Sequence, residues 1–354
     1  MDNIQIPNIS ISNFKCFKEF KVDSFKRFNL IFGKNSVGKS NLLEALHIYS
    51  GMFISDIIIA NYMQRNIALN NNLELIFNNF NCNNPINIKT TKKELNIYPI
   101  KSLTDNYLDG VYYQVENSNG EIIKLPLLIN TNRQLDNSFE SINNKIIFDN
   151  QTIYSTYYNI RLLPYSFIND YFFIEETAKS DIIKMFNNLQ NLKQDKIIVD
   201  CLKSIIPNLR SIRISSDRIC EADIGLDRYL PINALGSGIY KIFSYIVSAS
   251  FIRNGVLLID EIDNGFHYSS LRNLWISLFE VAYRSSVQIF ATTHSYECIK
   301  AFNDVYNEVK NKYNSNDDIQ GIRIEADKEE KHKYHSIIYN SEELNNAMDN
   351  WEVR

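Results

Sequence analysis

Apolar and polar residues alternate over 8–23, with Ile9, Ile11, Phe14, Phe17, Phe20 and Val22 as the predicted inward set. That period of two marks strands with one buried face. Phe28–Phe32 predicts a further strand, and Ser40–Tyr49 a helix that runs on, with breaks, to about Leu69. From Leu73 to Ile153 the pattern shortens to strand-like pieces at 73–77, 86–90, 93–100, 110–117, 121–130 and 145–150. The Asn119-Gly120 pair between two of them is a hairpin signal. This stretch predicts an antiparallel sheet inserted after the first helix, and 161–166 a strand returning to the main sheet. Helices are predicted over Glu175–Leu192 and Gln194–Ile206, the second stopped by Pro207. Strands follow at 210–216 and 221–227, the latter continued by 228–232. Ile239–Phe251 has helical spacing, and Asn254-Gly255 ends it. Val256–Ile259 is wholly apolar, which predicts a parallel strand covered on both faces. A helix over His267–Arg284, a strand over 287–292, a tail hairpin over 318–338 and a short helix near 341–348 complete the pattern. No repeat of solenoid period is visible.

The chemistry begins where the strand at 28–32 ends. Gly33-Lys34-Asn35-Ser36-Val37-Gly38-Lys39-Ser40 fits the phosphate-binding loop, with Asn41 next in line. Gly33 and Gly38 permit a tight turn that brings backbone N–H groups to phosphate oxygens. Lys39 is placed to reach the β- and γ-phosphates, and the Ser40 hydroxyl to ligate Mg²⁺. The helix that follows turns its positive end to the phosphates. Asp260 and Glu261 terminate the apolar strand at 256–259, where open α/β sheets place ligands. Asp260 is placed to hold the metal and Glu261 to polarise the attacking water. His294, beyond the neighbouring strand, is placed to donate to the γ-phosphate; the plain alternative is a core histidine. Gly236-Ser237-Gly238 opens a helix and so offers an anion-binding terminus, or simply an N-cap at Ser237-Gly238.

Composition narrows this reading. The 354 residues suffice for one large domain or two smaller ones, and 45% are hydrophobic. The net charge of −4 announces no global basic field for nucleic acid. Five scattered cysteines without a CxxC pair argue against a disulfide framework and a structural zinc site, and fit a reducing cytoplasm. The N-terminus lacks a signal pattern, and no apolar run is long enough for a membrane span. The many asparagines at 66–87 are interleaved with Ile, Leu and Phe and read as compositional bias.

The segments Ile11–Phe17, Ile31–Leu46, Gly255–Leu271 and Val287–Ile299, with the ending 349–354, resemble the RecF/SMC/OLD-like branch of ABC ATPases. The resemblance is strong over 9–50 and 225–300, and is nearest to that branch's short stand-alone "AAA family ATPase" group. The carboxylate pair lies about 220 residues beyond the loop, and the glycine-serine loop about 22 residues before Asp260, as in the ABC layout. The resemblance implies an α/β ABC-type head with a mixed, largely parallel core sheet, an antiparallel β insertion and a small helical arm. The pattern along the chain is expected to divide it at 1–72, 73–165, 166–210 and 211–354. The resemblance implies that Gly33, Lys39 and Ser40 bind ATP and Mg²⁺, with Lys34, Asn35, Ser36, Val37, Gly38 and Asn41 around them. It makes Asp260 and Glu261 the Walker B pair, Asn264-Gly265 part of a dimer-facing loop and His294 the switch histidine. Ser237 and Gly238 then complete the site of a second copy, in a loop that departs from the full signature; no Q-loop glutamine is evident. The implied function is an ATP-hydrolysing, ATP-dimerising subunit of a cytoplasmic anti-phage or DNA-maintenance complex. Any nuclease or toxin-like activity would come from a separate effector, since no room remains for a Toprim domain. The alternative is a RecF-like repair ATPase that binds DNA directly.

Other polar residues read as structural. Lys15 reads as a solvated lysine, with contact to nucleotide or DNA as the alternative, and Arg210, Arg213 and Arg218 as a solvated strand edge, with contact to nucleic acid as the alternative. His267 reads as structural or dimer-facing, and His332 and His335 as surface residues.

Overall fold

Two six-stranded sheets, two smaller three-stranded ones and a helical layer make up the described residues of this computed structural model. It describes residues 4–50, 73–92, 94–101, 108–116, 122–129, 139–142, 145–148, 151–154, 171–173, 179–314, 317–327, 330 and 333–349. The predicted strand at 161–166, the helix beyond Ser50, the Asn119-Gly120 turn and His332 lie outside the described residues.

The chain opens with β1 (Ile9–Phe14) and β2 (Phe17–Val22), an antiparallel pair whose predicted inward residues are all buried. Strand β3 (Phe28–Phe32) leads into α1 (Lys39–Ser50). Strands β4 (Ile86–Lys89), β5 (Glu94–Lys101), β6 (Leu108–Glu116) and β7 (Ile122–Ile129) follow. They pair antiparallel in sequence, and β4 pairs with β1, so one six-stranded sheet runs β2-β1-β4-β5-β6-β7. The segment at 73–77, expected as a strand, is a 3₁₀ turn over Leu73–Ile76 that ends in a single bridge from Phe77 to Phe14. Leu73, Ile76 and Phe77 bury one side at a spacing of three and four, and the Ile76 carbonyl accepts from the Lys15 amide at 2.9 Å. Packing at helical spacing has overridden strand propensity there.

Strands β8 (Phe139–Ile142), β9 (Lys145–Phe148) and β10 (Gln151–Tyr154) form a meander. Strand β11 (Tyr171–Phe173) then joins the main sheet. Helices α2 (Lys179–Asn191) and α3 (Lys196–Leu202) come next; the second ends well before Pro207. A small sheet of β12 (Ser211–Ile214), β13 (Cys220–Asp223) and β14 (Leu230–Pro231) leads through a 3₁₀ turn into α4 (Ser237–Ile252), on which α2 and α3 pack. Strand β15 (Val256–Ile259), α5 (Tyr268–Ser285), β16 (Gln288–Thr292) and α6 (Tyr296–Val309) follow in strand–helix alternation. Helix α6 was not anticipated. Its signals are the Ser295 N-cap, which accepts from the Cys298 amide at 3.1 Å, and Cys298, Ile299, Phe302, Val305 and Tyr306 along one face. The hairpin of β17 (Ile319–Ala326) and β18 (Tyr334–Tyr339) and α7 (Ser341–Asp349) close the chain.

The main sheet has the order β11-β15-β16-β3-β17-β18, parallel except for β18. Its central strands are buried on both faces, and their alternation divides them between two cores. Leu257, Ile259, Phe28, Leu30 and Ile289 face the helical layer, while Val256, Leu258, Ile31 and Phe290 face α1 and the antiparallel sheet. Each such side chain contributes about 1.5–3 kcal/mol by leaving water. Five parallel strands end at one edge, and the loops there carry the polar residues.

Candidate nucleotide site

The loop between β3 and α1 is held open by contacts that tolerate only glycine. A Cβ on Gly33 (φ +138°) would lie 2.5 Å from the Ile324 carbonyl oxygen on β17. One on Gly38 (φ +99°) would lie 2.6 Å from Cys16 Sγ and 2.8 Å from the Phe17 ring. Val37 is buried and anchors the loop in the core, whereas Lys34, Asn35 and Ser36 are exposed. The Asn41 side chain donates to Cys16 Sγ at 3.1 Å, bracing α1 against the β1–β2 turn. Burial pushes the Cys16 thiol up, against that hydrogen bond and the nearby Lys15.

Lys39 is 5% exposed. Its ammonium donates to the carbonyls of Gly33 at 3.0 Å and Lys34 at 2.8 Å, so it lies coiled over its own loop. Burial lowers its pKa to about 8, and the carboxylates of Asp260 and Glu261 work in the opposite sense. The structure therefore brings together residues from positions 39, 260 and 261. The register explains how: Ile259 on β15 pairs with Ala291 on β16, and Thr292 pairs with Ile31 on β3. Both carboxylates and the loop thus leave strands that flank β16 on either side, at one level.

Thr292 is a site residue that sequence reasoning passed over. Its hydroxyl donates to Asp260 Oδ1 and accepts from the Glu261 amide at 2.8 Å. Glu261 takes a left-handed conformation (φ +47°), and its exposed carboxylate accepts from Asn264 Nδ2 at 3.3 Å. The signal for Thr292 was a hydroxyl closing the strand directly after the apolar Ile289–Ala291 run. Thr293 follows; its hydroxyl donates to Asp263 and accepts from the Ser295 amide at 3.0 Å. His294, between them, is exposed and so is not a core histidine.

Ser237 and Gly238 are not joined to the loop at 33–40 by any hydrogen bond among the described residues. Ser237 is exposed at the start of α4, and a Cβ on Gly238 would meet the Phe266 ring at 3.3 Å. Lys241, one turn on, donates to the Asn264 carbonyl at 2.6 Å. This helix start is thus tied to the turn after the carboxylates. His267 caps α5, its ring accepting from the Ser269 amide at 3.4 Å.

One further expectation needs correction. Lys15 is not solvated: its ammonium pairs with the buried Glu44 of α1. Arg213 is exposed, as a solvated edge residue should be, and there pairs with Glu221 at 3.0 Å and lies 3.7 Å over the Tyr229 ring. His335 is half exposed and sits 3.5 Å from Glu325 on the tail hairpin.

Chemically, the loop offers amides at a helix N-terminus and an ammonium, a set that suits a polyphosphate. Ser40 and Asp260 add a hydroxyl and a carboxylate. Such hard oxygen donors suit Mg²⁺, which keeps waters and shares phosphate oxygens rather than needing a full protein cage.

A family model described as "AAA domain, putative AbiEii toxin, Type IV TA system" matches residues 28–299. A relative from Helicobacter pylori (strain ATCC 700392 / 26695), named "ATP/GTP phosphatase", is 25% identical over 349 residues, covering 86% of this chain and 89% of the relative. Two solved structures are similar at 11% identity. One is the SMC head bound to the C-winged helix domain of ScpA (TM-score 0.48, 97% of this chain, 99% of that one). The other is the SMC head domain from Thermotoga maritima (TM-score 0.44, 95% and 99%). The family match begins on β3, ends in α6 and takes in the loop, both carboxylates and His294, and the chain belongs to that AAA-domain family.

Proposed function

We propose that this chain is an ATPase whose hydrolytic site is built from the loop at 33–40 and the Asp260–Glu261 pair, and that it works as one head of an ATP-dependent dimer. The observation that carries the reading is Lys39: a nearly buried ammonium, coiled on loop carbonyls, in the field of both carboxylates. With ATP as substrate, Lys39 exchanges the Gly33 and Lys34 carbonyls for β- and γ-phosphate oxygens. Amides of residues 34–40 support the same phosphates. Ser40 and Asp260 would hold Mg²⁺, which when bound neutralises phosphate charge. Glu261 accepts the proton of the attacking water, and His294 donates to the γ-phosphate.

The dimer is favoured by where Ser237 and Gly238 sit. Ser237 is exposed, with Gly238 half-buried behind it, at a helix N-terminus tied to the turn at Asn264, so the Ser237 hydroxyl is available to the phosphates of a second copy. We place the dimer in the OLD-like branch, in a cytoplasmic defence or DNA-maintenance complex with a separate effector. The toxin–antitoxin setting in the family's description supports that role. The test is the mass of E261Q by light scattering with ATP and Mg²⁺. E261Q should bind ATP and double in mass, whereas E261Q/S237R should bind ATP and stay monomeric. A monomer in both would overturn the dimer, and no ATP binding by E261Q would overturn the site.

A further inference from the structure

We infer that Thr292 is the positioning residue that fixes both carboxylates of the hydrolytic site, setting the metal-facing oxygen of Asp260 and the direction of Glu261. The inference rests on the ATPase reading above. Beyond Ile259 the ladder no longer holds β15, because Ile259–Ala291 is its last pair with β16. Asp260 and Glu261 therefore need another anchor. Thr292 is 1% exposed and is itself fixed by pairing with Ile31 on its other side. A hydroxyl has one proton to give and two lone pairs to receive. Here the proton goes to Asp260 Oδ1 and a lone pair takes the Glu261 amide. The Thr292 carbonyl takes the Ile262 amide at 2.9 Å. One residue thus binds three consecutive residues of the turn.

Two consequences follow for the chemistry. With one lone pair of Oδ1 held by Thr292, Oδ2 is the Asp260 oxygen with more capacity to face a cation. The amide bond at Glu261 also sustains its left-handed backbone (φ +47°), a conformation that non-glycine residues rarely adopt. That backbone turns the Glu261 carboxylate off the line of the strand and towards Asn264. Valine would keep the shape of threonine and lose both side-chain bonds. Serine would keep both bonds and lose only a methyl.

The test compares T292V, T292S and E261Q with the unaltered chain in steady-state ATP turnover, ATP affinity and free-Mg²⁺ dependence. T292V should bind ATP with little change, lose about 10²-fold in kcat, as for a misplaced catalytic group, and need more Mg²⁺ for half-maximal turnover. T292S should restore both. Should T292V unfold, T292A is read in its place for the same split. Turnover and Mg²⁺ dependence unchanged in T292V, beside an inactive E261Q, would overturn the role of Thr292 alone. Equal loss in T292S and T292V would do the same, since the hydroxyl would then not matter. An unaltered chain without turnover would overturn the ATPase reading as well.

Discussion

Lys15 and Glu44 form an ion pair between the β1–β2 turn and the second turn of α1, with side chains only 11% and 4% exposed. The pair ties the turn that carries Cys16 to the helix that leaves the phosphate loop. Removing one partner of a buried pair costs more than removing both, because a desolvated charge stays behind. K15M should therefore lose about 3 kcal/mol in urea unfolding, and K15M/E44L should recover part of it. Strictly additive losses would show that the two charges do not act on each other.

Lys39 links nucleotide binding to pH. Its pKa of about 8 in the free protein lies below the ordinary lysine value of 10.5. In this window the unfolded chain holds more protons than the folded one, so this group's contribution to stability rises with pH from 8 to 10.5. Phosphate charge favours the ammonium and pulls the pKa back up. ATP binding near pH 9 should accordingly take up a proton, measured by calorimetry in buffers of different ionisation enthalpy. Uptake should shrink as the pH of the binding experiment falls from 9 to 7, where Lys39 is already an ammonium, and affinity of the unaltered chain should weaken above pH 8. A proton balance that stays the same from pH 7 to pH 9 would contradict this.

His47 makes the fold acid-sensitive from inside α1. Burial lowers its pKa to about 3, from 6.5. The stability it supports is fully present above pH 6.5. It is lost as pH falls towards 3, because the unfolded chain takes up the proton first, with a limiting slope of about 1.4 kcal/mol per pH unit. H47L should lose less stability than the unaltered chain between pH 7 and pH 5 in urea titrations. Parallel pH profiles would show that His47 is not the titrating group.

The loop itself tolerates no side chain at Gly38. G38A places a methyl against Cys16 and Phe17 at a positive φ. It should cost at least about 2 kcal/mol and abolish ATP binding, whereas S36A, on the exposed part of the loop, should leave stability unchanged. Wild-type binding by G38A would mean that the loop can move away from the turn.

What the sequence disclosed was local. The loop at 33–40 and the strand running into Asp260 carry motifs whose spacing is fixed by the backbone, so both were legible. The buried faces of β1, β2 and β15 followed from alternation and from an unbroken apolar run. The long-range partners were not legible. Nothing near Lys15 names Glu44, and nothing near Asp260 names Thr292, because the first contact is made by packing a turn on a helix and the second by register between two strands joined through α5. Helix α6 hid behind the polar Thr293–Ser295 segment that precedes it, although its cap and apolar stripe were present. The turn at Leu73–Ile76 looked like a strand because Leu, Ile and Phe favour both, and packing against Phe14 and Lys15 decided it.

The most direct measurement is phosphate release from ATP and Mg²⁺ by the unaltered chain, K39A and E261Q at equal concentration. The unaltered chain should turn over, K39A should neither bind nor turn over, and E261Q should bind ATP without turnover. Release at the unaltered rate by both K39A and E261Q would contradict the assignment of this site.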